Sequence, residues 1–159
     1  MKPKTLRKIL RRFEGLPLHH IDTSVILEPD NTENGRYCRR YMQKVGYNYA
    51  GKFSFPVLSE LFVTVLQTQN YADKQDLLDV IDKIISARKI GFYSSEDICN
   101  IMENIKKIDT RIEKMDREIT ACAIEDKADV LVTLDKDLLH NRKIENIFDI
   151  KIKHPKELV

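Results

Sequence analysis

Five acids stand where the surrounding pattern does not need them. Asp22 closes the apolar run LHHI, and Glu60 lies within an apolar helical face, between Leu58 and Leu61. Asp116 stands in the opening turn of a helix, and Asp135 and Asp137 follow a short strand in the segment LVTLDKDLL. Taken singly, each has an ordinary role open to it. Asp22 could cap a helix, Glu60 could face solvent, Asp116 could complement a helix dipole, and Asp135 and Asp137 could be turn residues. Taken together they repel: two carboxylates about 4 Å apart oppose each other by about 4 kcal/mol at an effective dielectric near 20. Three or four in one place need protons or cations. Oxygen donors without His or Cys suit Mg²⁺ or Mn²⁺. Such ions activate water and neutralise charge on a phosphodiester under attack.

The elements that must position these acids follow from apolar patterning. Leu18 to Ile21 reads as a buried strand with Asp22 at its carboxyl end, and Thr23 or Ser24 as the cap of the next helical turn. Glu28 to Gly35 reads as an exposed loop. Tyr37, Tyr41, Met42 and Val45 mark a helix that ends near Gly46. Phe53 and Phe55 fall in a second strand, and Pro56 opens a helix with an apolar face of Val57, Leu58, Leu61, Phe62, Val65 and Leu66. Asp73 or Asp76 opens the next helix. Ile90 to Tyr93 is a strand, Ser94 or Ser95 caps a helix carrying Ile98 to Ile105, and a further helix runs from about Lys114 to Lys127. Val130 to Thr133 and Phe148 to Ile152 are the last strands, and Pro155 closes the chain. Strands alternating with helices predict an α/β fold: three α/β/α layers with a Rossmann-like, mostly parallel sheet. In such a sheet the first and fourth strands end side by side, and helix starts at that edge bring Glu60 and Asp116 inward.

Composition sets the outer bounds. The 159 residues are 42% hydrophobic and 33% charged, which describes one globular domain rather than a disordered chain. No apolar run approaches the roughly 20 residues that span a bilayer, so no membrane partner is expected. MKPKTLRKILRR lacks a signal-peptide pattern. Cys38, Cys99 and Cys122 are scattered and unpaired by any CxxC, which suits reduced thiols in a cytoplasm. Charge is uneven. Lys2, Lys4, Arg7, Lys8, Arg11 and Arg12 face no acid within residues 1–12; against +2 for the whole chain, the remainder carries −4. Leu6, Ile9, Leu10 and Phe13 recur at helical spacing, so residues 1–17 read as a basic, helical arm ahead of a domain over residues 18–159. A basic arm on an acidic body suits RNA, or is simply a solvated terminus.

The order Asp-Thr-Ser after a first strand, SEL in a helix, an Asp opening the helix before a strand, and then LVTLDKD resembles the PIN-domain family, and in particular its VapC-like metal-dependent ribonucleases. The ending KIKHPKEL is similar as well. The resemblance covers roughly residues 18–158 and implies a PIN-like fold and an endoribonuclease. RNA would be cut by metal-activated water, leaving a 5′-phosphate and a 3′-hydroxyl. Asp22, Glu60, Asp116 and Asp135 match the catalytic, metal-holding acids, with Asp137 as a neighbour that can substitute for Asp135 at the metal or assist it. Ser24 and Thr133 match supporting hydroxyls. Lys136 and the arm residues Lys4, Arg7, Lys8, Arg11 and Arg12 are candidates for contacting RNA, as is Arg117. The resemblance also implies a toxin with an antitoxin-like protein partner, and a homodimer for which segment 47–66 is available. Residues 1–17, the loop 28–36 and segment 47–55 make this chain longer than the family's minimal form, which weighs against the toxin role more than against the nuclease.

Two other classes compete. A non-catalytic RNA- or partner-binding module on the same fold would rely on the basic arm. Tyr37, Tyr41, Tyr47 and Tyr49 could stack on bases or simply pack. A haloacid-dehalogenase-like phosphatase would need Asp-x-Asp, and Ser24 stands two positions after Asp22. No GxGxxG follows the first strand, which disfavours a dinucleotide enzyme.

Overall fold

The structure, a computed structural model, describes residues 14–159. The arm expected over residues 1–17 falls largely outside that range, as do Lys4, Arg7, Lys8, Arg11 and Arg12. The chain runs β1 (Leu18–Ile21), α1 (Thr23–Leu27), α2 (Glu33–Lys44), β2 (Ala50–Ser54), α3 (Phe55–Gln67), α4 (Tyr71–Ser86) and β3 (Ile90–Tyr93). It continues with α5 (Cys99–Ile108), α6 (Lys114–Glu125), β4 (Val130–Val132), α7 (Arg142–Phe148), β5 (Lys151–Lys153) and a 3-10 turn (Pro155–Glu157). The five strands form one sheet in the order β3-β2-β1-β4-β5, and every pairing is parallel.

Successive side chains of a strand point to opposite faces, and two histidines show which helices cover which face. His19 packs against Tyr41 of α2, with its Nδ1 3.1 Å from the Tyr41 hydroxyl, and stacks on Tyr49 at 4.1 Å. Burial lowers the His19 ring to a pKa of about 4, so it is neutral there. His20 points the other way, with Nε2 2.8 Å from Oδ2 of Asp126, just past the end of α6. Lys52, its register partner on β2, donates to both oxygens of Asp126, at 3.0 and 2.7 Å. Helices therefore cover both faces, and the core between them includes Ile21, Phe53, Ile105, Ile119 and Leu131, each no more than 2% exposed. Consecutive buried residues in β4 are what a strand covered on both faces requires.

The differences from the expected elements are local and physical. Asp22, not Thr23 or Ser24, is the N-cap residue of α1, and its side chain makes no capping bond. Thr32 caps α2 by accepting from the Gly35 N–H at 2.8 Å, so the loop after Glu28 ends at Thr32 rather than Gly35. Phe55 is not in a strand: it begins α3 and is exposed. Val57, Leu61 and Val65 fill the inner side of α3, whereas Phe62 and Leu66 face outward. Asn70 opens α4, not Asp73 or Asp76, because its side chain accepts from the N–H groups of Ala72 and Asp73. In α4 no apolar residue is fully buried. The N-cap of α5 is Ile98, not Ser94 or Ser95; it has no capping side chain, and the Cys99 N–H donates instead to the Asp97 carboxylate at 3.1 Å. Helix α7 had no expected counterpart. It is seven residues long and capped by the Asn141 side chain, and Asp149, at φ +52°, ends it, so the last strand starts at Lys151 rather than Phe148. Cys38 and Cys122 are buried, Cys99 is exposed, and all three are free. Tyr41 is fully buried and presents no face to a base, whereas Tyr49 is half-buried and stacks on His19. Among the described residues, no helix is long and apolar enough to cross a membrane.

Candidate functional site

The carboxyl ends of β1 and β4 meet because the strands are neighbours: Asp22 N–H donates to the Val132 carbonyl at 2.9 Å. That junction places Asp22 and Asp135 side by side. α3 brings Glu60 and the first turn of α6 brings Asp116 to the same edge. Asp22, Glu60, Asp116 and Asp135 line one pocket of about 370 Å³, with Thr23, Ser24, Leu27, Glu28 and Leu134 completing its wall. Among the described residues, no Lys, Arg or His lines it.

Asp22 is the most deeply set of the four, 4% exposed. Its Oδ2 accepts two hydroxyl donors, Ser24 Oγ at 2.5 Å and Thr133 Oγ1 at 2.7 Å. Both hydroxyls are in turn held by β4–α7 backbone: Leu134 N–H donates to Ser24 Oγ, and Asp135 N–H donates to Thr133 Oγ1, each at 3.0 Å. The chain after β4 and the first helical turn after β1 are thus tied together through the Asp22 carboxylate. Asp135 uses Oδ1 to hold its own turn, accepting from Asp137 N–H at 2.7 Å and Leu138 N–H at 2.9 Å.

Asp116 carries the electrostatic consequence. Its carboxyl is pushed up to about 7, first by burial and then by the charges of Asp22, Asp135, Glu60 and Glu113. It titrates near neutrality in a pocket of like charges, which is where perturbed acids mark functional sites.

The donor set suits a hard divalent cation, being oxygen-only, anionic and, among the described residues, free of competing cations. Thr23 Oγ1, buried in the same wall, has no hydrogen-bond partner among the described residues. Among the described residues, no three Asp, Glu, His or Cys side chains form a ready ligand cage. The carboxylates share the pocket without closing on one point.

The remaining expected residues fall elsewhere. Asp137 does not line the acidic pocket: it faces an adjoining cleft, 3.8 Å from Arg111 Nη1, and turn geometry carries it there. Lys136 lines that second cleft too. Arg117 is spent on structure, donating to the Ile112 carbonyl. Sequence reading missed Glu28, which it left at the start of an exposed loop. In the structure Glu28 is half-buried at the end of α1 and lines the acidic pocket. The available signal was the shortness of the apolar stretch after Asp22, which returns the chain to the same edge within one helical turn.

No protein-family model matches this chain, and no curated protein matches it either. Solved structures do. FitAcB from Neisseria gonorrhoeae matches with a TM-score of 0.63 at 19% identity, over 88% of this chain and 99% of that one. VapBC2 from Rickettsia felis, bound to a DNA fragment from its promoter, matches with a TM-score of 0.61 at 18% identity, over 86% and 98%. VapBC-5 from Mycobacterium tuberculosis, of the VapBC family of toxin–antitoxin systems, matches with a TM-score of 0.56 at 14% identity, over 86% and 96%. At these identities the likeness is one of fold, and the PIN-like three-layer α/β/α class read from the sequence stands. Membership of the PIN-domain family, in its VapC-like ribonuclease branch, does not. No family model carries it, and a shared fold does not separate toxin from antitoxin among the matched complexes. The strings DTS, SEL and LVTLDKD are too short to carry a family by themselves.

Proposed function

We propose that the chain is a metal-dependent endoribonuclease that hydrolyses RNA phosphodiester bonds, acting as the nuclease of a toxin–antitoxin pair. The observation that carries the reading is the convergence of Asp22, Glu60, Asp116 and Asp135 on a pocket that, among the described residues, has no basic side chain in its wall. Asp22, Asp116 and Asp135 would hold Mg²⁺ or Mn²⁺, and Glu60 would complete the set or orient the attacking water. A divalent ion bound there supplies an activated water and offsets charge on the phosphodiester. Ser24 and Thr133 keep Asp22 aimed by donating to one of its oxygens, which leaves the other for the pocket. Asp116, its carboxyl pushed up to about 7 by burial and the neighbouring acids, would give up its proton in holding the cation. The arm residues Lys4, Arg7, Lys8, Arg11 and Arg12 supply positive charge for a polyanion that the pocket alone would repel. Exposed Phe55, Phe62, Val63 and Leu66 on α3 offer a surface for a protein partner or a second copy. Three free thiols suit a reducing cytoplasm.

The test is cleavage of end-labelled RNA in Mn²⁺ or Mg²⁺, compared with EDTA and with Asp22→Asn and Asp116→Asn. Products with 5′-phosphate ends that vanish in EDTA and in both variants are expected. Cleavage that persists in either variant overturns the reading. One observation favours a second reading, a non-catalytic RNA- or partner-binding module: the absence of a ready ligand cage among the described residues. That module would bind RNA, lose binding on deletion of residues 1–12, and cut nothing.

A further inference from the structure

Beside the acidic pocket lies an open cleft of about 500 Å³ with the opposite character. Arg111, Lys136, His140, Arg142 and Lys143 line it, together with the acids Asp109 and Asp137. The cations come from three separate segments: the α5–α6 connection, the turn after β4, and the start of α7. The two hollows meet at the turn after β4, where Asp135 lines the acidic one and Lys136 the basic one.

The acids in the cleft cancel only part of its charge: Asp109 and Asp137 both face Arg111, at 2.7 and 3.8 Å, which leaves Lys136, Arg142 and Lys143 for a ligand. Asp109 is already engaged, accepting from Arg111 Nε at 3.0 Å and Nη2 at 2.7 Å and from Asn141 Nδ2 at 3.2 Å. Those bonds hold its carboxyl down at about 2, so it works as a fixed anchor for the Arg111 fork. Lys136 and Lys143 form no ion pair among the described residues, and Arg142 has only the exposed Glu145 contact at 3.3 Å. The turn that presents Lys136 is rigid. Asp135 holds two of its N–H groups, Leu138 is buried beneath it, and Asn141 ties its end to Asp109.

We propose that this cleft binds the phosphodiester backbone of single-stranded RNA and delivers it to the acidic pocket. The proposal rests on the reading of that pocket as an RNA-cleaving site. A polyanion approaching four carboxylates is repelled and must be gripped close by. Lysines and arginines on fixed elements do this without reading sequence. A single strand fits better than a duplex, because Asp22 is recessed and a splayed strand can reach into a recess that a stiff helix cannot enter.

The experiment uses the full chain in EDTA, with a short fluorescent oligouridine as probe and anisotropy as readout over a range of salt. Each phosphate contact contributes a slope of about −0.7 in log affinity against log salt. Arg142→Gln with Lys143→Gln should flatten the slope by about 1.4, and Lys136→Gln by about 0.7. Lys127→Gln with Lys151→Gln removes equal charge at the opposite edge of the sheet and should leave the slope unchanged. Slopes unchanged in both cleft variants, or flattened as much by the control, overturn the proposal. Because binding is read without metal, a flattened slope stands even if the wild type cuts nothing. Conversely, Asp116-dependent cleavage stands even if the cleft variants bind normally.

Discussion

Thr133 Oγ1 donates to Asp22 Oδ2 at 2.7 Å, joining the ends of two strands that are 111 residues apart in the chain. The bond lies between fully buried groups and fixes which oxygen of Asp22 is left for the pocket. Thr133→Val keeps the shape and removes the donor. Cleavage or Mn²⁺ affinity should fall by about 10- to 100-fold, while stability drops by only about 1–2 kcal/mol. Kinetics alongside urea unfolding separate the two. A large loss of stability with normal kinetics would make the bond purely structural.

The raised Asp116 carboxyl sets a pH dependence whose sign is fixed. Its pKa is about 7 in the fold against an ordinary 3.8, so the folded state binds this proton more tightly than the unfolded one. The contribution is fully present below pH 3.8 and is lost as pH rises towards 7. In EDTA, the wild type should therefore lose stability between pH 4 and 7 relative to Asp116→Asn. Asp116 is partly exposed, so solvent screening reduces the effect to about 1 kcal/mol at pH 7, roughly 2–4 °C in Tm. Parallel melting curves for the two proteins across that range would refute the repulsion.

Mn²⁺ should reverse that penalty. A ligand that binds only the folded state stabilises by about 2.7 kcal/mol at one hundred times its Kd. Thermal unfolding of the wild type should shift upward with Mn²⁺, and that of Asp22→Asn and Asp116→Asn should not. Equal responses in all three would place any bound metal elsewhere.

Asp126 tests the frame rather than the site. Burial works to raise its carboxyl, but hydrogen bonds from His20 and Lys52 outweigh it and hold the group below its usual range. The stability it confers is present above about pH 4 and is lost as pH falls through its folded value. Asp126→Asn leaves His20 and Lys52 without their anion. It should cost about 3–5 kcal/mol at pH 7, read as a lower urea midpoint with an unchanged slope. A change under 1 kcal/mol would show that the network is dispensable.

The sequence by itself determined what depends on local pattern. Four-residue runs without Asp, Glu, Lys or Arg, each ended by an acid or a polar residue, gave β1 and β3 with their bounds. Pro56 and the spacing of Val57, Leu61 and Val65 gave the start and inner side of α3. The alternation of these elements gave the three layers and the parallel sheet, since parallel strands require crossovers and crossovers put helices on both faces. The acids Asp22, Glu60, Asp116 and Asp135 were legible because each departs from a pattern that its neighbours set.

Tertiary structure decided what depends on side-chain direction and on meetings across the chain. Whether Phe62 and Leu66 were core or surface turned on which neighbours reached α3. Glu28 joined the acidic pocket because α1 is only one turn long, and Asp137 left it because Asp135 bonds its own turn. The basic cleft exists only where the α5–α6 connection, the β4 turn and α7 come together, and α7 was too short to leave a helical period in the sequence. Periodicity reports one element at a time. A site made from the ends of several elements appears only when the sheet order sets them side by side.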